Sequence, residues 1–581
     1  MNVLPSLLTG QLDIWTSAET EKKSGRGRSS GNGISVYGIK KLRELILELA
    51  VRGKLVPQDP NDEPAGELLC RINKELCRII DKSSLSKMER DKSTLEPREF
   101  HFEIPELWIW CELQDITIFE NGKAHEQFVT ETEKFVLVNS SFVSNNGDKV
   151  KYVSERLAPL SKDDIAIVMS DVPSGRALAR CFLVDDGNKY TLNQRIGVLK
   201  TVMKLSKRYL LMVLDRNKYF LYYDDGKKQT NLKKIQILSC PIPLPPLPEQ
   251  HRIVAKVDEL MVLCDQLETQ HINAAEAHEK LVNHLLGILT QSQSADDFSA
   301  NWQRIAAHFD TLFTTKASID ALKQTLLQLA VMGKLVPQDS NDEPASKLLK
   351  RIQAEKAKLV AEGKIKKDKP LPPITEEEKP FELPRGWEWV RLQSVIDVRD
   401  GTHDSPKEAE GETTSYPLVT SKDFFEGGIN FDTARRISEA DHSEISKRSL
   451  VEKYDILFSM IGGNIGNQVM VRDDRPFSVK NVALFKYYDR NLTFPFFIKK
   501  YMENLAVSLQ SSAIGGAQPF ITLGTLRNLV MALPPLSEQH RIVTKVDELM
   551  TLCDQLKSRI TQTGQLQKKL ADVVVEQAIA S

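Results

Sequence analysis

Along this chain the apolar positions fall into two long helical seams, several shorter helices and many short strand-like runs. Ile253, Val257, Leu260, Cys264 and Leu267 follow one another at steps of 4, 3, 4 and 3, which is a heptad seam. It continues less regularly through His271, Ala274, His278, Leu281, Leu285 and Ile288. A second seam runs through Ile542, Val546, Leu549, Cys553, Leu556 and Ile560. Pro245 and Pro246 stand before the first seam and Pro534 and Pro535 before the second, marking the helix starts. A helix of about 40 residues measures roughly 60 Å. The two seams can pack on each other as a coiled coil, or each can cover its own neighbouring domain. His271 and His278 stand one heptad apart, too far to share a metal ion, and read as seam or surface residues.

Shorter helices are predicted near Tyr37–Arg52 and Ser318–Met332, with Gly53 and Gly333 as C-caps. PQDPNDEPA and PQDSNDEPA follow as turns, and new helices begin at Ala65 and Ala345. Elsewhere the period shortens. Phe135–Val138, Ile165–Met169, Arg195–Leu199, Ile456–Ser459, Asn467–Val471 and Val482–Tyr487 read as strands separated by turn clusters such as NNGD, DDG and GGN. Helical stretches are predicted near Ser206–Tyr219 and Phe496–Ser511. Ser24–Gly33 and the Pro-rich, charged Gly363–Pro380 read as linkers.

The pattern is written twice. Leu42–Ile72 matches Leu322–Ile352 at 21 of 31 positions, and Leu244–Leu267 matches Leu533–Leu556 at 21 of 24. IPELWIW at Ile104–Trp110 faces LPRGWEW at Leu383–Trp389 more weakly. The stretches between, roughly 110–243 and 389–532, barely resemble each other. A duplicated frame therefore holds two unlike middles, each a mixed α/β domain large enough for its own core. The expected architecture is mixed α/β with a pseudo-two-fold internal repeat, its two domains joined by long antiparallel coiled-coil helices. Its expected segments are a flexible arm (1–35), a first helical shell (36–98), a first recognition domain (99–248) and a central spacer helix (249–295). A second shell and linker (296–377), a second recognition domain (378–537) and a C-terminal spacer helix (538–581) complete it.

Composition adds limits. The 581 residues carry a net charge of −1, with 41% hydrophobic and 27% charged residues, ordinary for a globular protein. No apolar run is long enough for a membrane span, and the N-terminal sequence does not read as a signal peptide. Seven scattered cysteines (Cys70, Cys77, Cys111, Cys181, Cys240, Cys264, Cys553), with no CxxC pair, predict buried, reduced thiols in a cytoplasmic protein. Charge is uneven along the chain. Lys189–Lys234 holds 12 basic and 3 acidic residues, and Ser478–Leu536 holds 6 and 2. Blocks of positive charge at the same place in both repeats favour DNA, whose phosphates attract them through counterion release. The bland alternative is a solvated helix face.

No catalytic constellation accompanies these blocks. A P-loop, an amino-methyltransferase [DNS]-P-P-[YFW] tetrapeptide and H-E-x-x-H are all absent from the sequence. Glu377-Glu378-Lys379 resembles half of a nuclease site but falls in the Pro-rich linker. Asp400–His403 lacks an accompanying nucleophile and reads better as a recognition loop.

Over nearly its whole length the chain resembles the specificity subunit of type I restriction–modification enzymes, most closely the type IB group. The resemblance rests on the two LPPL-[PS]-EQHRIV helix starts, the two GKLVPQD-x-NDEPA segments, ELPRGWEWVRL and DGTHDSP at Asp400–Pro406. The first middle departs from the pattern, with IPELWIW at its opening and FENGK at Phe119–Lys123 where DGTH would stand. Its base preference is therefore expected to differ. The resemblance implies that each middle reads one half of a split, asymmetric double-stranded DNA site. It implies that the helices set the unread spacer, and that the frame docks two methyltransferase subunits, which restriction subunits join. S-adenosylmethionine, ATP and Mg2+ would be used by those partners, with no cofactor, metal, catalysis or membrane contact on this chain.

Expected DNA contacts in the first domain are Lys123, Arg176, Arg180, Gln194, Arg195, Lys227, Lys228 and Gln229. In the second they are Thr402, His403, Lys422, Asn464, Lys480, Asn481, Gln518 and Arg527. Lys200 and Lys486 align by repeat register as phosphate contacts, and Arg195 serves equally well as a structural ion pair. Alternatives to the family reading are a stand-alone DNA-binding adaptor with duplicated domains and a protein-only scaffold.

Overall fold

The computed structural model describes residues 12–17, 20–22, 34–82, 102–172, 175–201, 205–409, 414–514 and 519–580. The chain divides into two compact units, residues 1–274 with 563–581 and residues 275–562. The first unit contains helices α1 (Tyr37–Val51) and α2 (Ala65–Lys82), followed by the start of the long α3 (Leu247–Gln291). The second contains α4 (Lys316–Val331), α5 (Ala345–Ala361) and the start of the long α6 (Leu536–Ala580). Each long helix starts in one unit and ends in the other. Among the described residues no helix is long and apolar enough to cross a membrane.

Both outcomes considered for the seams occur. Ile253 and Val257 bury in the same core as Trp108 and Tyr209, as Ile542 and Val546 do with Trp387 and Phe497. The first turns of each seam thus cover their own domain. Further along, Leu260, Cys264 and the partly buried Leu267 share their core with Ile39, Leu42 and Ile46 of α1 and with Ala571, Val574 and Ala578 of α6. In the second unit Leu549, Cys553 and Leu556 join Leu322 and Leu326 of α4 and Val282, Leu286 and Leu289 of α3. In each unit the start of one long helix meets the end of the other, the order of an antiparallel pair. A shell helix packs with them, so the seam is shared three ways.

The repeated motifs lock this frame with hydrogen bonds of the same kind in both copies. Trp108 Nε1 donates to Glu249 Oε2 at 2.9 Å and Trp387 Nε1 to Glu538 Oε2 at 3.0 Å. Gln58 and Gln338 donate to the other oxygen of the same carboxylates at 2.7 and 3.2 Å. Burial pushes the pKa of Glu249 and Glu538 up, against those hydrogen bonds, which pull it down. Arg252 pairs with Asp62 and Arg541 with Asp342, each at 2.6 Å. Gly53 (φ 70°) and Gly333 (φ 69°) end α1 and α4 in the left-handed region, as predicted. Each also lets a proline approach, for an added Cβ would lie 2.5 Å from Pro105 Cγ or Pro384 Cγ.

Each recognition domain hangs from a two-stranded neck. In the first, β1 (Ile109–Glu112) enters and leads to β2 (Thr117–Asn121), β3 (Phe135–Val138), β4 (Ile165–Val168), β5 (Cys181–Leu183), β6 (Tyr190–Leu192) and β7 (Ile196–Thr201). The outgoing β8 (Pro241–Leu244) pairs antiparallel with β1. In the second, β9 (Glu388–Arg391) leads to β10 (Ile396–Asp400), β11 (Ser415–Val419), β12 (Ile456–Ser459), β13 (Gln468–Met470), β14 (Ser478–Val479) and β15 (Val482–Tyr487). The outgoing β16 (Val530–Leu533) pairs antiparallel with β9. The antiparallel sheets have the same order, β2-β7-β4-β5 and β10-β15-β12-β13. A parallel pair recurs as well, β3 with β6 and β11 with β14. Consecutive positions of β7 and β15 are buried, so these central strands are covered on both faces and read as continuous apolar runs.

Several expectations need correcting. Part of the arm is docked: Trp15 is fully buried in the first unit's core, whereas Ser24–Gly33 lies outside the described residues. Part of the Gly363–Pro380 linker is also tied down. Arg391 donates to the carbonyls of Pro372 and Pro373 and pairs with both oxygens of Glu378 at 2.7 and 2.8 Å. That hydrogen bonding holds the Glu378 carboxyl at about 2 and makes Glu378 a strap between linker and neck. The stretch near Ser206–Tyr219 breaks at Arg216 (φ 53°) into Lys207–Leu214 and Lys218–Leu221. Cys70 and Cys77 are exposed on α2, because its outer face meets solvent, and Cys181 is half-buried; the other four thiols are buried.

Candidate nucleic-acid interface

The same edge of the antiparallel sheet gathers loops in both domains. In the first domain the end of β2 meets the start of β7: Gly122 N–H donates to Ile196 O, and Lys123 N–H to Leu192 O at 3.0 Å. In the second, Gly401 N–H donates to Val482 O, and Thr402 N–H to Val479 O at 2.9 Å. Both glycines are required by close approach. An added Cβ would lie 2.1 Å from Asn193 O at Gly122 and 2.8 Å from Val479 O at Gly401. FENGK thus does stand where DGTH stands, with Lys123 opposite Asn193 as Thr402 is opposite Lys480. A third segment joins each edge, since Leu232 N–H donates to Met169 O and Ile521 N–H to Met460 O.

In the first domain this edge collects Lys123, Gln194 and Arg195, all exposed. Gln194 Nε2 donates to Glu126 Oε1 at 2.7 Å, which lowers the pKa of Glu126. His125 is fully buried beneath the loop, its Nδ1 2.7 Å from Lys123 O and its Nε2 3.0 Å from Thr191 Oγ1. Gln229 donates to Ser170 Oγ at 2.9 Å beside the exposed Lys227 and Lys228. Arg176 is exposed, and its carbonyl holds Arg216. Arg180 does not point to this edge as a free cation, because it bonds Asn146 and pairs with Asp215. Lys200 lies further along β7, paired with Glu120 at 2.6 Å.

In the second domain the edge collects Asp400, Thr402, His403, Lys480 and Asn481. His403 Nδ1 lies 3.0 Å from Asn481 Oδ1 and Nε2 lies 2.9 Å from Asp400 Oδ2. These two bonds raise the pKa of His403, Asn481 first and Asp400 second. Lys480 Nζ bonds Ser405 Oγ, and Thr402 is buried with its hydroxyl toward Asp404. Lys422 is exposed just past β11, whose Val419 carbonyl accepts from Lys480 N–H. Asn464 ends the short helix Gly462–Asn464 and is half-buried. Gln518 lies outside the described residues.

Two expected contacts belong to the core instead. Lys486 is buried, its ammonium 2.7 Å from both Glu452 and Asp455. It does align with Lys200, each being the fifth residue of its central strand. Arg527 turns inward, donating twice to Val398 O. The basic blocks are likewise not single faces. Arg208 pairs with Asp258 of α3 and Lys500 with Asp547 of α6, so part of each block ties its domain to the frame. Glu126 and the 63% exposed Phe425, on the hairpin after Lys422, were missed by a search for cations and amides. Only the strand pairing brings Glu126 to Gln194. Among the described residues no three His, Cys, Asp or Glu side chains are grouped to hold a metal ion.

Residues 105–277 and 384–563 match the family model described as the type I restriction modification DNA specificity domain. The chain is 38% identical to the type I restriction enzyme EcoAI specificity subunit of Escherichia coli, over 99% of both chains. It is 37% identical to the EcoEI specificity subunit of Escherichia coli, again over 99% of both. Among solved structures, the HsdS subunit from Thermoanaerobacter tengcongensis aligns at 19% identity with a TM-score of 0.41, covering 82% of this chain and 98% of that one.

Proposed function

The chain belongs to the type I restriction–modification DNA specificity family, and from that premise we propose how its two domains divide the work. Each recognition domain reads one half of a split, asymmetric double-stranded DNA site through the loops at its β2–β7 or β10–β15 edge. Lys123, Gln194, Arg195, Lys227, Lys228 and Gln229 serve the first half. His403, Lys422, Asn464, Lys480, Asn481 and Gln518 serve the second, on a loop that the buried Thr402 supports. Phosphate contacts would supply affinity, and amides, Arg and Lys at base edges would supply specificity. The long helices set the spacer, for which half-sites roughly 34 Å apart, one turn of DNA, are the natural fit. The frame docks two methyltransferase subunits, which restriction subunits join. S-adenosylmethionine, ATP and Mg2+ then belong to those partners, and this chain catalyses nothing.

The observation that carries this reading is that two domains of unlike sequence share one sheet order and present the same edge loops from a frame written twice. A scaffold that only held proteins together would not need two different loop sets on one edge. The test is to replace residues 110–243 with another such middle in a host that supplies the methyltransferase, then to sequence the methylated adenines. One half of the methylated site should change and the other stay. A change in both halves, or in neither, would refute the assignment.

A further inference from the structure

In each domain one amide at the start of the central strand is fixed by an ionisable side chain from the loop after β2 or β10. In the first domain it is Gln194, in a tight turn closed by Ile196 N–H donating to Asn193 O. The neighbouring Asn193 instead serves its own turn, its Oδ1 accepting from Arg195 N–H. The fixing partner of Gln194 is Glu126 at 2.7 Å. A carboxylate only accepts, so the NH2 of Gln194 must face Glu126, and its carbonyl oxygen is left to the surroundings. In the second domain the amide is Asn481, in the left-handed region at φ 56°, with its N–H on Thr402 O. Its fixing partner is His403. The Asp400 carboxylate takes a proton from His403 Nε2, and when His403 is protonated its Nδ1 also donates, to Asn481 Oδ1. Here the carbonyl is held and the NH2 is left over. The two edges therefore hold their amides the opposite way round.

Resting on the reading above, we propose that Gln194 and Asn481 are base-reading groups of opposite hydrogen-bonding sense. Gln194 presents an acceptor, and fits a base whose major-groove edge donates, through N4 of cytosine or N6 of adenine. Asn481 presents a donor, and fits an edge that accepts, through N7 or O6 of guanine, N7 of adenine or O4 of thymine. Glu126 and His403 are positioning residues that select which end of each amide is offered. Fixing the side chain before DNA arrives also removes the freedom by which an amide could satisfy either kind of edge.

The test uses the full chain with its methyltransferase partner and a library of DNA sites in which each base of both halves is varied. Asn481→Asp keeps the oxygen held by His403 and replaces the offered NH2 by an acceptor. Its preference at one position of the second half should move from an accepting to a donating base edge, by roughly tenfold or more, with the first half unchanged. Glu126→Gln can both give and take a hydrogen bond. It should loosen discrimination at one position of the first half only. If Asn481→Asp methylates no site, Asn481→Ala carries the test, by a flattened preference at that same position in a binding assay on the library. An unchanged base profile in Asn481→Asp, or in Asn481→Ala, overturns the proposal. Replacing residues 389–532 in the same assay separates the two levels. If that exchange leaves the second half unaltered, the reader assignment itself fails; if it alters the second half while the Asn481 variants do not, only the amide proposal fails.

Discussion

The two recognition domains share strand order, neck, parallel pair and a loop-bearing edge, yet their sequences barely resemble each other. The comparison separates what the fold needs from what the edge does. Glycines recur at 122 and 401 because a backbone carbonyl passes there. The next position is free: Lys123 in one domain, Thr402 in the other. The central strands show the same division. Their fifth residue is lysine in both, but Lys200 meets Glu120 at the surface whereas Lys486 is sealed under Glu452 and Asp455.

The frame offers the largest effects. Trp108→Ala and Trp387→Ala should each cost about 3–5 kcal/mol for the cavity. Each also removes a hydrogen bond from a buried carboxylate, Glu249 or Glu538, at about 1–3 kcal/mol more. Urea unfolding followed by hydrogen exchange should find near-equal losses, each in its own unit. Clearly unequal losses would break the equivalence of the two frames.

The lysine pair sharpens the contrast within the domains. Lys486→Met leaves the buried Asp455 with only the more distant Arg490, at 3.8 Å, and should cost about 3–5 kcal/mol, whereas Lys200→Met, at a surface pair, should cost about 0–1 kcal/mol. Similar values for the two would show that Lys486 is not the keystone its burial implies. Gly122→Ala and Gly401→Ala come next, at about 1–3 kcal/mol each. Gly122 should suffer more, since its added Cβ meets a carbonyl at 2.1 Å against 2.8 Å. The reverse order in thermal melts would mean that the two loops yield differently.

The smallest effect is a pH dependence confined to one half-site. His403 has a raised pKa, set by Asn481 and Asp400 against Arg448. Its charged-form interactions are complete below the ordinary histidine value of 6.5 and fade as pH rises through the raised value. Above it, Nδ1 no longer donates to Asn481. Base discrimination in the second half should then weaken toward alkaline pH while the first half, which has Ala124 at the matching place, stays level. Binding to the site library at several pH values checks this; parallel decline in both halves would exclude His403 as its source.

Much of the fold was readable in sequence because it is local or repeated. The C-cap glycines, the helix starts after Pro245–Pro246 and Pro534–Pro535, and the strands at Phe135–Val138, Ile456–Ser459 and Val482–Tyr487 stand where the pattern places them. The edge was less readable. Linear charge counts put Arg208 in one basic block and Lys486 and Lys500 in the other, but helices turn Arg208 and Lys500 to the frame and a sheet buries Lys486. Glu126 and Gln194 are 68 residues apart, and only the pairing of β7 with β2 makes them neighbours. The likeness of the two domains is faint in sequence, carried by FENGK against DGTH and by Lys200 against Lys486, because strand order constrains burial rather than residue identity.

One repeated detail has a consequence for how such domains are exchanged. Gln250 Nε2 donates to Pro245 O while its Oε1 accepts from Ser206 N–H, the N-cap of the helix Lys207–Leu214. Gln539 does the same with Pro534 O and Phe494 N–H, the N-cap of the helix Pro495–Ser511. At this point the frame grips main chain, not side chain. It behaves as a socket keyed to a helix beginning, to which the side chain there can add its own contact, as the Phe494 ring does on His540. An insert that brings a helix N-terminus to that place meets the same plug, so a domain can trade much of its outer sequence and still keep this point of attachment.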